Sequence, residues 1–330
     1  LVQLQSDITS PFPPLDLMVH IGEISAASFN DTIPAKEVWR VSEDGELRDP
    51  FKKLTTVFQM SEEMFFLHYG KDGCNRHVLI DECRELFGEI YEQIPELPFC
   101  NIWTAMQLSS RLPKGALFHM GVSNTRRCWN MFQLPESVES ACNVGCCGID
   151  GCVSTLVGAS LVNPDRLCYV VVGDLTFFYD LNSLGNHHIG TNLRVMLVNN
   201  GRGTEFRLGI HHCNVFGDDA DKYMAAAGHF GNKSPLLVKH YAEDLGFHYL
   251  SATTKEEFMT ALSNFTNPQL SDHSMILEVF TDSKDESEAL YLMSHIQSDA
   301  KGMVRSKLKD AVRNVAGEKG INAIKKILKK

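Results

Sequence analysis

Two apolar runs in this 330-residue sequence are each followed by a side chain that could bind a hard cation. The run LCYVVV at 167–172 leads to Asp174, and the run LRVMLV at 193–198 leads to Asn200. Magnesium prefers carboxylate, amide and phosphate oxygens, so a carboxylate and an amide at two strand ends could share one ion. A helix that starts at Asp174 would direct its first backbone N–H groups at an anion. Either segment alone is typical of a simple turn, but together they predict a Mg²⁺–diphosphate site.

The elements that would position these residues repeat between residues 100 and 283. Apolar runs predict strands at 116–120, 167–172, 193–198 and 275–280. Amphipathic segments predict helices at 153–162, 235–247 and 255–265. Continuous apolar strands alternating with helices indicate the α/β class, with a parallel sheet flanked by helices on both faces. Ligands of such sheets bind at the carboxyl ends of the strands, where the two candidate side chains are.

Residues 1–98 have a different pattern, and we interpret them as part of a domain, not the whole, followed by helices. Strands are predicted at 15–24 and 37–41, and helices at 61–70 and 83–94. Two or three strands with few helices form a poor independent domain. The proline-containing segment PELPF at 95–99 predicts the boundary, so the cation-binding domain is placed at 99–283.

The spacing of the two strand-end motifs points to a family. The motifs are Gly-Asp and Asn-Asn, and 24 residues separate Asp174 from Asn199. This arrangement resembles the motif of thiamine diphosphate (ThDP)-dependent enzymes. The resemblance implies that the predicted sheet has the ThDP diphosphate-binding fold.

Further segments narrow the resemblance. CNVGCCGIDGCVSTLVGAS at 142–160 and VVGDLTFFYDLNSL at 171–184 are similar to the menaquinone-pathway synthases that join decarboxylated 2-oxoglutarate to isochorismate, the succinyl-enolpyruvyl-hydroxycyclohexene-carboxylate synthases. EVWRVSEDGELRDP at 37–50 resembles the end of their middle domain, which implies that residues 1–98 are the remnant of that α/β domain plus linker helices. The similarity extends over about residues 15–283 and looks closest to synthase-like proteins found with bacterial surface-polysaccharide genes.

The resemblance implies which residues hold ThDP and Mg²⁺. The Mg²⁺ ligands would be the side chains of Asp174 and Asn200 and the backbone carbonyl of Arg202. The other cofactor-binding residues would lie along the diphosphate or under the bent cofactor: Gly148, Ile149, Gly173, Leu175 and Thr176. Ile149 would serve catalysis by forcing the aminopyrimidine against the thiazolium ring.

The resemblance also implies a substrate site and a reaction. GVSNTRR at 121–127 is similar to the substrate-binding loop of the family, so Ser123 and Arg127 would bind the substrate carboxylate. The reaction would remove CO₂ from a 2-oxo acid and transfer the acyl anion to an acceptor. A simple 2-oxo acid decarboxylase or an acetolactate-type enzyme is an alternative. Val144 replaces an arginine of the family that helps to bind substrate, which leaves both donor and acceptor open.

ThDP enzymes activate the cofactor with a glutamate on a separate pyrimidine-binding domain, and no segment here matches that domain. We therefore expect this chain to be the C-terminal part of such an enzyme, within a homodimer or homotetramer. The pyrimidine-binding domain would be supplied in cis or in trans. The isolated chain should bind the cofactor weakly and turn over little or not at all. A non-catalytic ThDP-fold module for assembly or regulation is the alternative.

Cysteines, histidines and two further polar residues complete the candidates. The chain has ten cysteines, four of them within 142–152, but no CxxC pair. We interpret them as buried free thiols, with a thiolate metal site in that cluster as the alternative. The pairs His187–His188 and His211–His212 lack a partner at helical spacing and receive no role. Asp180 and Asn182 are predicted to cap or brace the helix after Asp174.

The charge is distributed unevenly along the chain. Residues 301–330 contain ten Lys or Arg and two acidic residues, a net charge of +8, so the rest carries −18 of the total of −10. An acidic body excludes a typical nucleic-acid-binding domain. Residues 284–330 predict a basic amphipathic helical tail, for which peripheral membrane contact is an open alternative. With no signal peptide and no membrane-spanning run, we expect a cytoplasmic protein.

Overall fold

The computed structural model describes residues 5, 15–22, 35–70, 78–144, 148–208, 211–224, 229, 231 and 233–297. These residues fall into two compact units. The larger is Pro95–Ser294, and the smaller is the described part of Val2–Ile94 together with 295–297. The assignment of these units to a middle domain and a diphosphate-binding domain stays a prediction. Residues 298–330, most of the predicted tail, lie outside the described residues.

The smaller unit contains a parallel sheet of three strands in the order β1-β2-β3. The strands are β1 (Leu15–Ile21), β2 (Ala35–Val41) and β3 (Leu54–Phe58), and the helices are α1 (Glu62–Tyr69) and α2 (Val78–Glu92). Ser61 caps α1, because its side chain accepts a hydrogen bond from the backbone N–H of Met64. The predicted strands and helices of this region are confirmed, whereas the short β3 was not predicted.

The larger unit is built on a six-stranded parallel sheet in the order β5-β4-β6-β7-β9-β8. The strands are β4 (Leu117–Met120), β5 (Glu139–Cys142), β6 (Cys168–Gly173), β7 (Leu193–Asn199), β8 (His248–Ala252) and β9 (Met275–Phe280). The four predicted strands are confirmed. The two outer strands, β5 and β8, were missed because they are short and largely solvent-exposed, so they lack a continuous apolar run.

Helices connect the strands. The α-helices are α3 (Asn101–Leu108), α4 (Asn124–Trp129), α5 (Cys152–Val162), α6 (Asp174–Tyr179), α7 (Ala220–Tyr223), α8 (Leu237–Asp244), α9 (Lys255–Phe265) and α10 (Ser283–Ser294). Short 3-10 helices cover Ser109–Arg111, Leu181–Gly185, Thr204–Arg207 and His212–Asp219. None of the helices that the structure describes is long and apolar enough to cross a bilayer.

Alternate residues of the central strands face opposite helix layers. Val170 and its neighbours at every second position pack in one core cluster with residues of α5, α6 and α8. On the other face, Tyr169 contacts Phe265 of α9 at a ring-centroid distance of 5.5 Å, and Phe118 contacts Trp129 of α4 at 4.9 Å. Burial on both faces explains why β6 and β7 are apolar throughout. The predicted α/β sheet with helices on both faces is confirmed.

Candidate functional site

Asp174 and Asn200 lie at the same edge of the sheet, just after two neighbouring strands. β6 and β7 pair in parallel up to Gly173 opposite Val198, so the residues that follow leave the sheet side by side. In a parallel sheet this carboxyl edge is where the chain diverges and ligands bind. The structure therefore places the two halves of the predicted motif together.

The Asp174 carboxylate is buried, with 2% of the residue exposed. Its Oδ1 accepts a hydrogen bond of 2.7 Å from the backbone N–H of Leu175, in the first turn of α6. Its Oδ2 lies 3.0 Å from Nε2 of His229. That contact lacks hydrogen-bond alignment, because both atoms remain without a hydrogen-bond partner among the described residues. Oδ2 is thus a buried anionic oxygen free to bind a cation.

The Asn200 side chain provides a second buried acceptor. Its Oδ1 has no hydrogen-bond partner within the described part of the chain. Since leaving a buried acceptor unpaired costs about 1–3 kcal/mol, two such oxygens beside one strand pair indicate a missing ligand. The Arg202 carbonyl accepts a 2.9 Å hydrogen bond from Thr204 N, which leaves its second lone pair available. The donor set of carboxylate, amide and carbonyl oxygens fits Mg²⁺.

A buried network holds the turn that carries Asn200. Asn199 donates from Nδ2 to Glu278 Oε1 at 2.7 Å, while its Oδ1 accepts from the backbone N–H of Gly201 at 3.2 Å. The other carboxylate oxygen of Glu278 accepts from the hydroxyl of Tyr249 at 2.7 Å. Burial raises the pKa of Glu278, and the negative charge of Asp174 raises it further. Strand β9 therefore fixes the conformation of the cation-binding turn through one carboxylate.

The remaining predicted diphosphate residues surround the start of α6. Gly173 is the residue before this helix, and Thr176 is buried in its first turn at 6% exposure. The backbone N–H of Leu175 is already used by Asp174. These positions agree with an anion site at the helix start.

The loop that contains Ile149 connects β5 to α5. Gly148 and Ile149 are both partly buried, and residues 145–147 lie outside the described residues. Gly151 begins α5 with a φ of 81°, a left-handed conformation that glycine adopts without strain. The placement of Ile149 under a cofactor stays a prediction.

Ser123 and Arg127 follow β4, next to β6 in the sheet. Ser123 has a φ of 58°, a strained conformation for a residue with a side chain. Arg127 does not face an open site. It forms a bidentate ion pair with Glu205, with N–O distances of 2.7 and 2.8 Å. Burial lowers the pKa of Arg127, but the hydrogen bonds that it donates to Glu205 and the negative charge of Glu205 raise the pKa overall, so the guanidinium stays charged.

Asp180 ends α6 as its C-cap, as predicted, with its backbone N–H bonded to the carbonyl of Phe177, and its side chain supports a second helix. Its Oδ2 accepts a 2.6 Å hydrogen bond from the backbone N–H of Ser154, in the first turn of α5.

Asn182 lies with His187 and His188 along an open groove of 510 Å³ beside α5. His211 caps the 3-10 helix that follows it by accepting from Cys213 N. Neither histidine pair lies in a metal cluster among the described residues.

The described cysteines form no disulfide with one another. Cys152 is fully buried in the core cluster at the start of α5, and burial raises its pKa to about 11. Cys142 ends β5, with Sγ 3.8 Å from the carbonyl oxygen of Gly121. Cys146 and Cys147 lie outside the described residues, so the thiolate cluster as a whole is untested.

Three residues of the site were missed from the sequence: Glu205, His229 and Glu278. Glu278 carried a usable signal, because a carboxylate in the otherwise apolar run MILEVF must find buried partners. Glu205 and His229 lie in segments without clear periodicity, and only the folded chain brings them to Arg127 and Asp174.

Relatives of known name match most of the chain, although no family model matches it. A 2-succinyl-5-enolpyruvyl-6-hydroxy-3-cyclohexene-1-carboxylate synthase of Bacteroides fragilis is 33% identical over 263 residues, which is 78% of this chain and 45% of the relative. The synthase of the same name from Phocaeicola vulgatus is 32% identical over 265 residues, 78% of this chain and 44% of the relative. A third, from Christiangramia forsetii, is 33% identical over 199 residues, 60% of this chain and 33% of the relative. The chain spans about half the length of these relatives.

Proposed function

From the premise that this chain belongs to the thiamine diphosphate-dependent enzymes and is related to 2-succinyl-5-enolpyruvyl-6-hydroxy-3-cyclohexene-1-carboxylate synthases, we propose that it is the Mg²⁺–ThDP-binding portion of a 2-oxo acid decarboxylating carboligase. The observation that carries the proposal is a pair of buried oxygens at adjacent strand ends, Asp174 Oδ2 and Asn200 Oδ1, neither of which has a hydrogen-bond partner among the described residues. A hard cation that bridges to a diphosphate would satisfy both.

In this proposal Asp174, Asn200 and the Arg202 carbonyl would hold Mg²⁺, and the first turn of α6 would contribute to binding the diphosphate. When bound, ThDP supplies the electron sink for decarboxylation, and the protein supplies orientation and electrostatics. Ile149 would support the bent cofactor. A pyrimidine-binding domain, in cis or in trans, would complete the site, so the chain alone should bind cofactor weakly and turn over little.

The residues predicted to bind substrate differ from the pattern of the family that the sequence resembles. Arg127 is neutralised by Glu205, and Val144 stands where the family has an arginine. Two guanidinium groups that would receive substrate carboxylates are therefore paired or absent. We propose a donor and acceptor with fewer carboxylates than those of the menaquinone-pathway synthases, with Ser123 still positioned beside the substrate.

Titration calorimetry tests the cofactor assignment. Mg²⁺ with ThDP, and Mg²⁺ with inorganic diphosphate, would be titrated into the full 330-residue chain, into Asp174→Ala and into Asp165→Ala. Inorganic diphosphate needs only the diphosphate half of the site. Asp165 is an exposed turn residue before β6, at the opposite edge of the sheet, and serves as the matched control.

We expect binding that requires Mg²⁺, is weakened at least about 10-fold by Asp174→Ala, and is unchanged in the control, because loss of a metal ligand removes the bridge to the phosphate. Binding of neither ligand, or binding indifferent to Mg²⁺ and to Asp174, would overturn the proposal and favour a non-catalytic module.

A further inference from the structure

His229 contacts the Oδ2 oxygen of Asp174, and the proposed function leaves this histidine unused. Its Nε2 lies 3.0 Å from Asp174 Oδ2, and only 9% of its side chain is exposed. Nε2 nevertheless has no hydrogen-bond partner among the described residues. A buried imidazole nitrogen beside the metal-binding oxygen thus awaits a ligand.

The hydrogen bond of the other ring nitrogen, Nδ1, determines which kind of ligand Nε2 can bind. Nδ1 of His229 accepts a 3.0 Å hydrogen bond from the backbone N–H of Gly231, so Nδ1 carries no proton. The proton of the neutral ring is then on Nε2. A protonated Nε2 cannot coordinate a metal, but it can donate to an anionic oxygen. The hydrogen-bond pattern therefore favours an anion over the cation itself.

The ring is held in place from two sides. Phe178 of α6 packs against it with a ring-centroid distance of 5.3 Å. Gly231 approaches Phe178 so closely that a Cβ at this position would lie 2.2 Å from a ring carbon. A residue with a Cβ at position 231 would collide with Phe178, so glycine is favoured at the position whose backbone N–H donates to Nδ1. A preorganised donor of this kind is typical of a binding residue.

We propose that His229 binds the diphosphate: its Nε2–H donates to a phosphate oxygen of the ligand carried by the cation at Asp174. The inference rests on the proposed function and adds a residue to it. The poorly aligned contact between Nε2 and Asp174 Oδ2 agrees with this proposal, because the N–H does not donate to Asp174 and remains available to the phosphate. Cation and histidine would then hold the same anion, one from the metal side and one by a hydrogen bond.

The test separates the anion from the cation by using a different probe for each. Mg²⁺ with inorganic diphosphate is titrated by calorimetry into the full chain, and Mn²⁺ alone is titrated by electron paramagnetic resonance as a substitute for Mg²⁺. The variants are His229→Leu, which removes the donor, and His229→Gln, which keeps an N–H donor at similar reach. His248→Leu is the matched control, because His248 is exposed at the amino end of β8.

We expect His229→Leu to weaken diphosphate binding about 10-fold or more, as for loss of a hydrogen bond to a charged group. His229→Gln should recover most of that loss, and Mn²⁺ binding should stay within about twofold in both variants. The control should match the wild type, and thermal melting should show that all variants are folded.

Two results would overturn the inference alone while the wild type still binds Mg²⁺ and diphosphate. Unchanged diphosphate affinity in His229→Leu would show that the donor makes no contact with the anion. A parallel loss of Mn²⁺ affinity would assign His229 to the cation or to support of Asp174. A wild-type chain that binds no Mg²⁺–diphosphate would instead overturn the proposed function, and this inference with it.

Discussion

At the scale of single residues, the charge of Arg127 in the site is neutralised by a carboxylate of the same chain. Arg127 was predicted to meet a substrate carboxylate, but Glu205 supplies a carboxylate in its place, at 2.7 and 2.8 Å. The side chains are only 26% and 20% exposed, so the pair is partly shielded from solvent and geometrically well defined. An arginine held in this way is a poor receptor for a second carboxylate. Glu205 is therefore the residue that we expect to limit which substrates enter.

Replacing Glu205 tests this expectation. Glu205→Gln should release Arg127 and increase the affinity of the chain for 2-oxoglutarate by about 10-fold, equivalent to about 1.4 kcal/mol, because the internal competitor is neutralised. Calorimetry in the presence of Mg²⁺ and ThDP measures the change. Glu139→Gln, which breaks the exposed ion pair with Arg166, is the control and should have no effect. Equal affinities in all three proteins would show that Arg127 does not receive the substrate.

At the scale of elements, helices α5 and α6 are joined by one side chain. Asp180 follows α6, and its carboxylate accepts the backbone N–H of Ser154 in the first turn of α5 at 2.6 Å. A carboxylate at a helix start satisfies an otherwise unpaired N–H and interacts favourably with the helix dipole. Because α5 follows the loop of Ile149 and α6 starts at Asp174, this contact couples the two predicted cofactor-binding segments.

Removing this cap should destabilise the fold measurably. Asp180→Ala is expected to lower the free energy of unfolding by about 1 kcal/mol, as for other N-terminal caps, and Asp180→Asn by less. Urea denaturation followed by circular dichroism provides the measurement. Asp165→Ala changes an exposed aspartate before β6 and should leave the midpoint unchanged. A midpoint for Asp180→Ala equal to that of the wild type would mean that α5 does not depend on this contact.

At the scale of the larger unit, one buried carboxylate joins segments that are far apart in sequence. Glu286 of α10 accepts hydrogen bonds of 2.9 Å from the backbone N–H of Asn101, at the start of α3, and from the hydroxyl of Thr281. Burial raises its pKa to about 7, although these hydrogen bonds and one from Asn124 act in the opposite direction. α10 is thus part of the folded unit, not a solvated extension.

The raised pKa predicts a pH dependence of stability. The folded state keeps the Glu286 proton up to about pH 7, whereas the unfolded chain releases it near pH 4.5. Unfolding therefore releases a proton in this pH window. As a result, the contribution of Glu286 lowers the free energy of unfolding by up to about 3 kcal/mol as pH rises from about 4.5 to 7. Glu286→Gln should remove this slope and be relatively more stable at pH 8 than at pH 5.

Urea unfolding at pH 5, 6, 7 and 8 measures the slope. The exposed neighbour Glu288 provides the control, and Glu288→Gln should follow the wild-type pH profile. If the difference in unfolding free energy between Glu286→Gln and wild type is the same at every pH, the buried carboxylate does not titrate in this range.

The central strands of the six-stranded sheet could be predicted from the sequence, whereas the outer strands could not. The runs that became β6 and β7 were predicted because both faces of a central parallel strand are buried, so every position is apolar and the signal is continuous. At the outer strands β5 and β8 this requirement is relaxed, and their sequences ESAC and HYLSA contain no such run. Helix α10 begins the segment that was predicted as a basic helical tail, but its own sequence is net acidic and four of its residues are buried.

The sequence by itself determined the α/β class, the order of the central elements and the pairing of Asp174 with Asn200, because these depend on local patterns and on the rule that parallel strands end at one edge. Only the tertiary structure decided that Glu205 neutralises Arg127, that Glu278 holds the turn of Asn199, and that His229 reaches Asp174. Those contacts join residues distant in the chain, and no periodicity in the sequence records which distant side chains meet when the sheet forms.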